Sequence, residues 1–271
     1  NQGYTCFGDH PCYNWFYNRL NINEYLGFER YHFYEDRYKD YASPGLIAGD
    51  AAFLPTIIED YDAAKADNQP IFSFNVTYQN HGPYFRDQRY TTAYLPWQDG
   101  YNAEDYNIAN NYLSGIADTG KQLRAFVDHF RTEERPVIVV LFGDHKPWWG
   151  DGNSTYKMFD INLDLTTEEG FYNYYTTPYL IWANDAAKAV LGTSFEGDGG
   201  KTSPSFLMER VFSLAGWEGP AYMKAVRALE ENATFINRQY RLEDGVLTGM
   251  DSQSDNEPEW LQTFRYIEYY Q

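Results

Sequence analysis

Cysteine, clustered basic charge and long apolar runs are all scarce in this 271-residue chain. Only Cys6 and Cys12 occur; they are close enough to bridge and equally able to stay free, so cysteine neither builds a disulfide framework nor fixes a redox compartment. Lys and Arg number 21 against 39 Asp and Glu, a formal charge of −18. No Lys/Arg run supplies a local basic patch, so phosphate backbones are repelled and no nucleic-acid partner is expected. No stretch approaches the ~20 apolar residues of a membrane span, and no basic, apolar and then small-residue signal opens the chain. It begins Asn1-Gln2-Gly3 without Met, from which an upstream segment is expected. No internal repeat and no linker is visible. A single domain over 1–271 is therefore expected, with a core over 1–232 and a small hairpin and helix over 233–271.

What is present is a large apolar fraction, 43%, enough for a sizeable core. Aromatics reach 19%, with 26 Tyr. Such rings often line sugar or polyol sites because they offer apolar stacking plus a hydroxyl, although most of the 26 serve to cover surface and core seams. The sequons at Asn75, Asn153 and Asn232 are short enough to arise by chance.

Strand and helix signals alternate. Gly3 to Gly8 reads as a short strand, followed by a polar loop, Asp9-His10-Pro11, and an aromatic turn through Tyr17, Asn18 and Arg19. Ala52, Phe53, Ile57, Ile58 and Tyr61 recur at helical spacing over about 50–64, with Pro55 near enough to the start to be tolerated. Ile71 to Thr77 alternates as a strand and runs into the turn Asn80-His81-Gly82-Pro83. A long helix is signalled from Asn102 to Phe130 by a cap-like Asn102-x-x-Asp105 and an apolar stripe. Val137 to Gly143 carries no charge and reads as a parallel strand covered on both faces. Residues 150–176 show no clear period. Pro178 to Ala183 reads as a buried strand, 203–216 as a helix with Pro in its first turn and Gly at its end, and 220–231 as a helix. Residues 235–248 read as a hairpin about Asp244-Gly245, and 257–270 as a terminal helix. The expected class is α/β: one mixed, mostly parallel sheet flanked by helices, with a small C-terminal hairpin and helix.

Open α/β sheets keep their chemistry at the carboxyl ends of the strands. Asp144 and His145 stand at such an end and offer anionic oxygen and imidazole nitrogen, a mixture that suits Mn²⁺ or Zn²⁺ better than Ca²⁺. His10 and His81 also follow predicted strands. His32 and His129, in an aromatic run and in the long helix, are read as structural or exposed. Three strand-end histidines with Arg19, Asp144 and a nearby aromatic suit a phosphorylated ligand, in which a metal polarises the phosphoryl group while Arg and His donate to its oxygens.

The run from His10 to Arg19, followed by Leu26-Gly27-Phe28-Glu29, Asn80-His81-Gly82-Pro83-Tyr84 and Phe142-Gly143-Asp144-His145, resembles the extracellular domain of lipoteichoic acid synthase and related phosphoglycerol transferases. These belong to the sulfatase-like, alkaline-phosphatase superfamily. The likeness covers about residues 1–230. It implies that Asp144 and His145 are two ligands of one Mn²⁺, that His81 contacts the phosphoglycerol group, and that His10, Arg19 and Tyr17 line the same pocket. Tyr17 stands where the family commonly has Trp, and Cys12 where some members have an acidic residue. The likeness places the remaining metal ligands and a Thr nucleophile upstream of this sequence, so the chain alone is expected to be inactive and to hold Mn²⁺ weakly or not at all.

The implied reaction moves a phosphoglycerol group from a phosphatidylglycerol-type lipid to a polyol-phosphate or glycan acceptor through a Thr-linked intermediate. It would run at the extracellular face of a membrane reached through an N-terminal anchor. Two readings compete with it. A sulfatase would need a Cys/Ser-x-Pro-x-Arg motif, which neither cysteine supplies, and a non-catalytic domain would bind an anionic glycopolymer through Arg19, His81 and aromatics.

Overall fold

The computed structural model describes residues 3–41, 47–233, 235–236, 240–243, 246–250 and 259–270. The chain forms two compact units: Asn1–Phe130 with His145–Thr176, and Arg131–Asp144 with Thr177–Gln271.

The first unit is built on a three-stranded parallel sheet in the order β2-β1-β3, with β1 at Thr5–Asp9, β2 at Arg30–His32 and β3 at Ile71–Asn75. Between β1 and β2 lies a short helix, α1 (Arg19–Tyr25), and between β2 and β3 the longer α2 (Asp50–Ala64). A Cβ at Gly8 would overlap the Phe74 carbonyl and the Tyr31 ring, so glycine is what lets β1 lie flush between its neighbours. Tyr38, Ala48, Phe53, Leu54 and Ile57 form the core under α2, each large apolar side chain contributing roughly 1.5–3 kcal/mol by burial. Helix α3 (Ala103–Arg131) opens on Asn102, whose side chain accepts from the backbone N–H of Glu104 and Asp105, the cap expected from sequence. Three further Asn side chains on α3 tie down the irregular segment before it. Asn111 donates to the carbonyls of Phe85 and Asp87, Asn107 to that of Arg86, and buried Asn110 accepts from Tyr94 and Leu95. Residues 150–176, which show no period in sequence, hold α4 (Ser154–Met158) and α5 (Glu168–Tyr175). Helix α5 starts where the Thr167 hydroxyl accepts from Gly170 N–H, a local cap that periodicity does not reveal.

In the second unit β4 (Ile138–Phe142) pairs with β5 (Tyr179–Ala183). The pairing is antiparallel, and the strand is half-buried rather than covered on both faces, with Phe142 exposed. The expectation of a fully buried parallel strand is thus corrected: β5 is the one ladder partner β4 has among the described residues, and an uncharged run does not by itself encode strand direction. Buried Asn184 ties this pair to α6 (Asp185–Leu191), accepting from Val137 and Ala187 N–H and donating to the Glu133 and Arg135 carbonyls. Helices α7 (Pro204–Leu214), α8 (Ala221–Glu230) and α9 (Glu259–Tyr270) pack around Phe206, Val226, Leu229, Ile236, Leu261 and Phe264. The antiparallel set β6 (Phe235–Ile236), β7 (Tyr240–Glu243) and β8 (Val246–Gly249) stands where a hairpin is predicted; its expected turn, Asp244-Gly245, lies outside the described residues.

The class is mixed α/β with a parallel sheet flanked by helices, as expected. The strands, however, form three separate ladders instead of one sheet among the described residues. Strand β2 and helix α6 have no counterpart in the sequence reading, because three and seven residues are too short for a period to emerge. Among the described residues no helix is long and apolar enough to cross a membrane.

Candidate functional site

Strand β1 carries Asp9 and His10 into the interior, so the expected polar loop is in fact buried. His10 has its Nδ1 2.9 Å from the Val76 carbonyl, which can only accept; Nδ1 therefore bears the proton and Nε2 is left as a lone-pair acceptor. That Nε2 is buried and has no hydrogen-bond partner. Burial outweighs the Val76 bond, and with help from Arg19 and His81 it lowers the imidazole pKa to about 4. His10 is thus neutral at physiological pH, with Nε2 able to accept a hydrogen bond. In this state a hydroxyl, rather than a bare phosphate oxygen, is the partner that suits Nε2.

The other predicted residues of this unit gather around it through a chain of rings. His10 meets the Tyr78 ring edge-on at 6.0 Å, Tyr78 stacks on His81 at 4.7 Å and 13°, and His81 meets His145 at 5.8 Å. Phe16 meets both Tyr78 and His81 edge-on, at 6.2 and 6.4 Å. The Nδ1 atoms of His81 and His145 lie 2.6 and 2.7 Å from the carbonyls of Gly82 and Lys146, which fixes both rings with Nε2 as the basic nitrogen. Arg19 opens α1, with its guanidinium carbon 5.9 Å from the Tyr17 ring centroid and its Nε buried without a partner. Tyr17 and Asn18 both hold left-handed backbone, φ 53° and 55°, and Tyr17 is exposed. The thiol of buried Cys12 is pushed up by burial, with Tyr78 acting against the rise; Cys6 and Cys12 are both free.

His81 is held by the two residues before it. Gln79 accepts from Asp50 N–H at 2.8 Å and donates to the Gly115 carbonyl and to Asp118. Asn80 donates to Thr119 at 2.6 Å, and Thr119 in turn donates to buried Asp50. Burial raises the Asp50 carboxyl, against the Thr119 bond that lowers it. The Asn80-His81-Gly82-Pro83 turn is therefore pinned between the start of α2 and the middle of α3.

Asp144 is the last residue of the second unit's segment Arg131–Asp144, whereas His145 opens the first unit's segment His145–Thr176. Only His145 is placed beside His81 by the first unit's own geometry.

A cluster that sequence reading missed lies on the other side of Asp9. Asp9, His32 and Asp60 have ligand-capable atoms within 4.8 Å of one another. His32, read from sequence as structural or exposed, ends β2, with Nδ1 3.2 Å from Asp9 and 3.7 Å from Asp60. Arg37 lies 2.7 Å from Asp60 and 3.6 Å from Asp9, and the buried Tyr38 hydroxyl donates to Asp9 at 2.8 Å. The bonds to Asp60 and Asp9 raise His32 to about 9 against burial. Asp60 is lowered, the pull of His32 and Arg37 overcoming burial. The donor types are those of a metal site, yet the carboxylates already hold an arginine, an imidazolium and a phenol, and only Asp9 Oδ2 is without a partner. The charge balance therefore fits a buried ion-pair network better than a cation cage. Contacts between residues as far apart in sequence as Asp9 and Asp60 leave no local pattern by which to find them.

The Sulfatase family model matches residues 1–217. A putative cyclic beta-1,2-glucan modification protein of Rhizobium meliloti is 28% identical over 227 residues, 82% of this chain and 33% of the relative. Among solved structures, the phosphoglycerol transferase GacH of Streptococcus pyogenes, in complex with sn-glycerol-1-phosphate, is similar with a TM-score of 0.68 and 19% identity, over 99% of this chain and 60% of that one. The lipoteichoic acid synthase LtaP of Listeria monocytogenes follows with a TM-score of 0.57 and 14% identity, over 99% and 70%. This chain thus spans one third of the curated relative and less than two thirds of GacH. At these identities the structures speak to fold. With the family model covering well over half of the residues, the chain belongs to the Sulfatase family.

Proposed function

We propose that this chain is the phosphoglycerol-binding part of a transferase that moves a phosphoglycerol, or related phosphoryl-polyol, group from a phosphatidylglycerol-type lipid to a cell-envelope glycan. The observation that carries the reading is the pairing of two orphaned buried atoms, His10 Nε2 and Arg19 Nε, beside exposed His81. Buried polar groups are ordinarily paired, and a partner of mixed chemistry, anionic for Arg19 and hydroxylic for His10, would satisfy both. A phosphorylated polyol has that mixture. The names of the relatives, a glucan modification protein and a phosphoglycerol transferase, point the same way.

In this reading Arg19 donates to the phosphoryl oxygens, His81 contacts the phosphoglycerol group, neutral His10 accepts from a polyol hydroxyl, and the Tyr17 ring covers the carbon chain. Mn²⁺, which the family resemblance assigns to Asp144 and His145 together with further ligands, would supply charge neutralisation when bound. The expected location is the outer face of the membrane.

Calorimetric titration of the chain with sn-glycerol-1-phosphate tests the reading. Saturable binding is expected, weakened ~10–100-fold in R19A by loss of a charge-assisted hydrogen bond. Equal binding by R19A and the parent chain would overturn it. A hydrolase of sulfate esters, favoured by the family match alone, would instead prefer a sulfate-ester probe.

A further inference from the structure

The segment before Arg19 presents a row of rings that the phosphoglycerol pocket does not use. Tyr13 and Trp15 stack nearly parallel, centroids 5.6 Å apart at 12°, and Tyr34 backs Tyr13 at 5.0 Å. Trp15 is 66% exposed even so. Glu35 accepts from Asn14 N–H at 3.1 Å, and Asn14 O accepts from Leu20 N–H, so the segment carrying Trp15 is anchored from both sides. From Trp15 the row continues through Phe16, 5.8 Å away, to His81. The turn that makes this possible places Tyr17, a bulky residue, at φ 53°, a conformation costing on the order of 1–2 kcal/mol that surrounding contacts must sustain. A backbone held at such cost merely to cover a core would bury its rings; this one exposes Trp15 and Tyr17.

We infer that Tyr13 and Trp15 form a stacking platform for a sugar ring of the acceptor, two ring contacts from His81. This rests on the transferase reading for its role, though not for its ligand chemistry. The occupant is a neutral oligosaccharide. An indole face takes the C–H face of a pyranose, and the edges of such a shelf leave the sugar hydroxyls in water. The net charge of −18 favours an uncharged glucan over a polyanionic chain of glycerol phosphates as the acceptor. The glucan in the name of the Rhizobium meliloti relative is of the favoured class.

Calorimetry with two probes on the whole chain separates the platform from the pocket. Cyclic beta-1,2-glucan should bind the parent chain, bind W15A and Y13A at least tenfold more weakly, and bind W15F with an intermediate loss, since Phe keeps a face but a smaller one. The same W15A chain should take sn-glycerol-1-phosphate unchanged, which shows that it is folded, while H81A should lose that probe and keep the glucan. Absence of glucan binding, equal glucan binding by W15A and parent, or tighter binding of an oligomeric polyglycerol phosphate would each overturn the platform. Glucan binding that depends on Trp15 in a chain blind to glycerol phosphate would uphold the platform and sink the transferase reading.

Discussion

His10 shows how far one hydrogen bond constrains chemistry: a backbone carbonyl fixes the tautomer, burial disfavours the charged ring, and Nε2 is left able to accept. Replacement by Asn keeps an amide able to donate to Val76 and removes Nε2. H10N should therefore keep the parent circular dichroism and melting temperature within a few degrees while losing about tenfold in glycerol-phosphate affinity; unchanged affinity would show that Nε2 is idle. His32 makes the opposite case. Its folded pKa, about 9, lies above the ordinary 6.5, so its bonds to Asp60 and Asp9 stabilise the fold fully below about pH 6.5 and are lost as pH rises through 9. After allowance for partial exposure the contribution is on the order of 2 kcal/mol. Thermal melts at pH 7 and 9.5 should show a larger drop for the parent than for H32Q, and parallel drops would contradict the network. His10, His81 and His145 were legible in sequence because each follows a strand. Asp9, His32 and Asp60 were not, because β2, a strand of three residues, is what brings them together.

Elements with clear signals were the readable ones: α2 and α3 stand where the apolar spacing puts them, α7 where its leading Pro and trailing Gly do, and the α3 cap is the predicted Asn102. Strand direction was not readable for β4, since an apolar run of five fits either pairing and only the partner decides. Nor were α4, α5 and α6: α5 and α6 each start on one capping side chain, Thr167 and Asn184, and α4 follows the left-handed Asn153, none of which is an apolar stripe. Asn184 is the clearest of these, with its amide oxygen accepting two bonds and its nitrogen donating two. N184A leaves buried backbone groups unpaired and should cost roughly 2–4 kcal/mol in chemical denaturation; a loss under ~1 kcal/mol would mean that water replaces the amide. The turn carrying His81 depends in the same way on Gln79 and Asn80. Q79A/N80A should raise the dissociation constant for glycerol phosphate through a looser His81, with the effect carried by faster release in stopped-flow traces. An unchanged release rate would detach the anchor from the site.

Across the whole chain, a formal charge of −18, the gathering of Arg19 with His10, His81 and His145, and the exposed Trp15 near them are what the proposed reading rests on, one anion held at one place and an uncharged chain next to it. Family membership supplies the class of chemistry, and in the proposed function the orphaned atoms of His10 and Arg19 mark the place. The most direct test is a titration of the chain with sn-glycerol-1-phosphate followed by the histidine ring and arginine Nε resonances in nitrogen-15 NMR. His10, His81 and Arg19 should shift together along one saturating curve, with His129 unmoved, and equal concentrations of sodium sulfate should leave His10 in place because sulfate brings no hydroxyl. Saturation by glycerol phosphate with His10 and Arg19 stationary would place the ligand elsewhere and contradict the account.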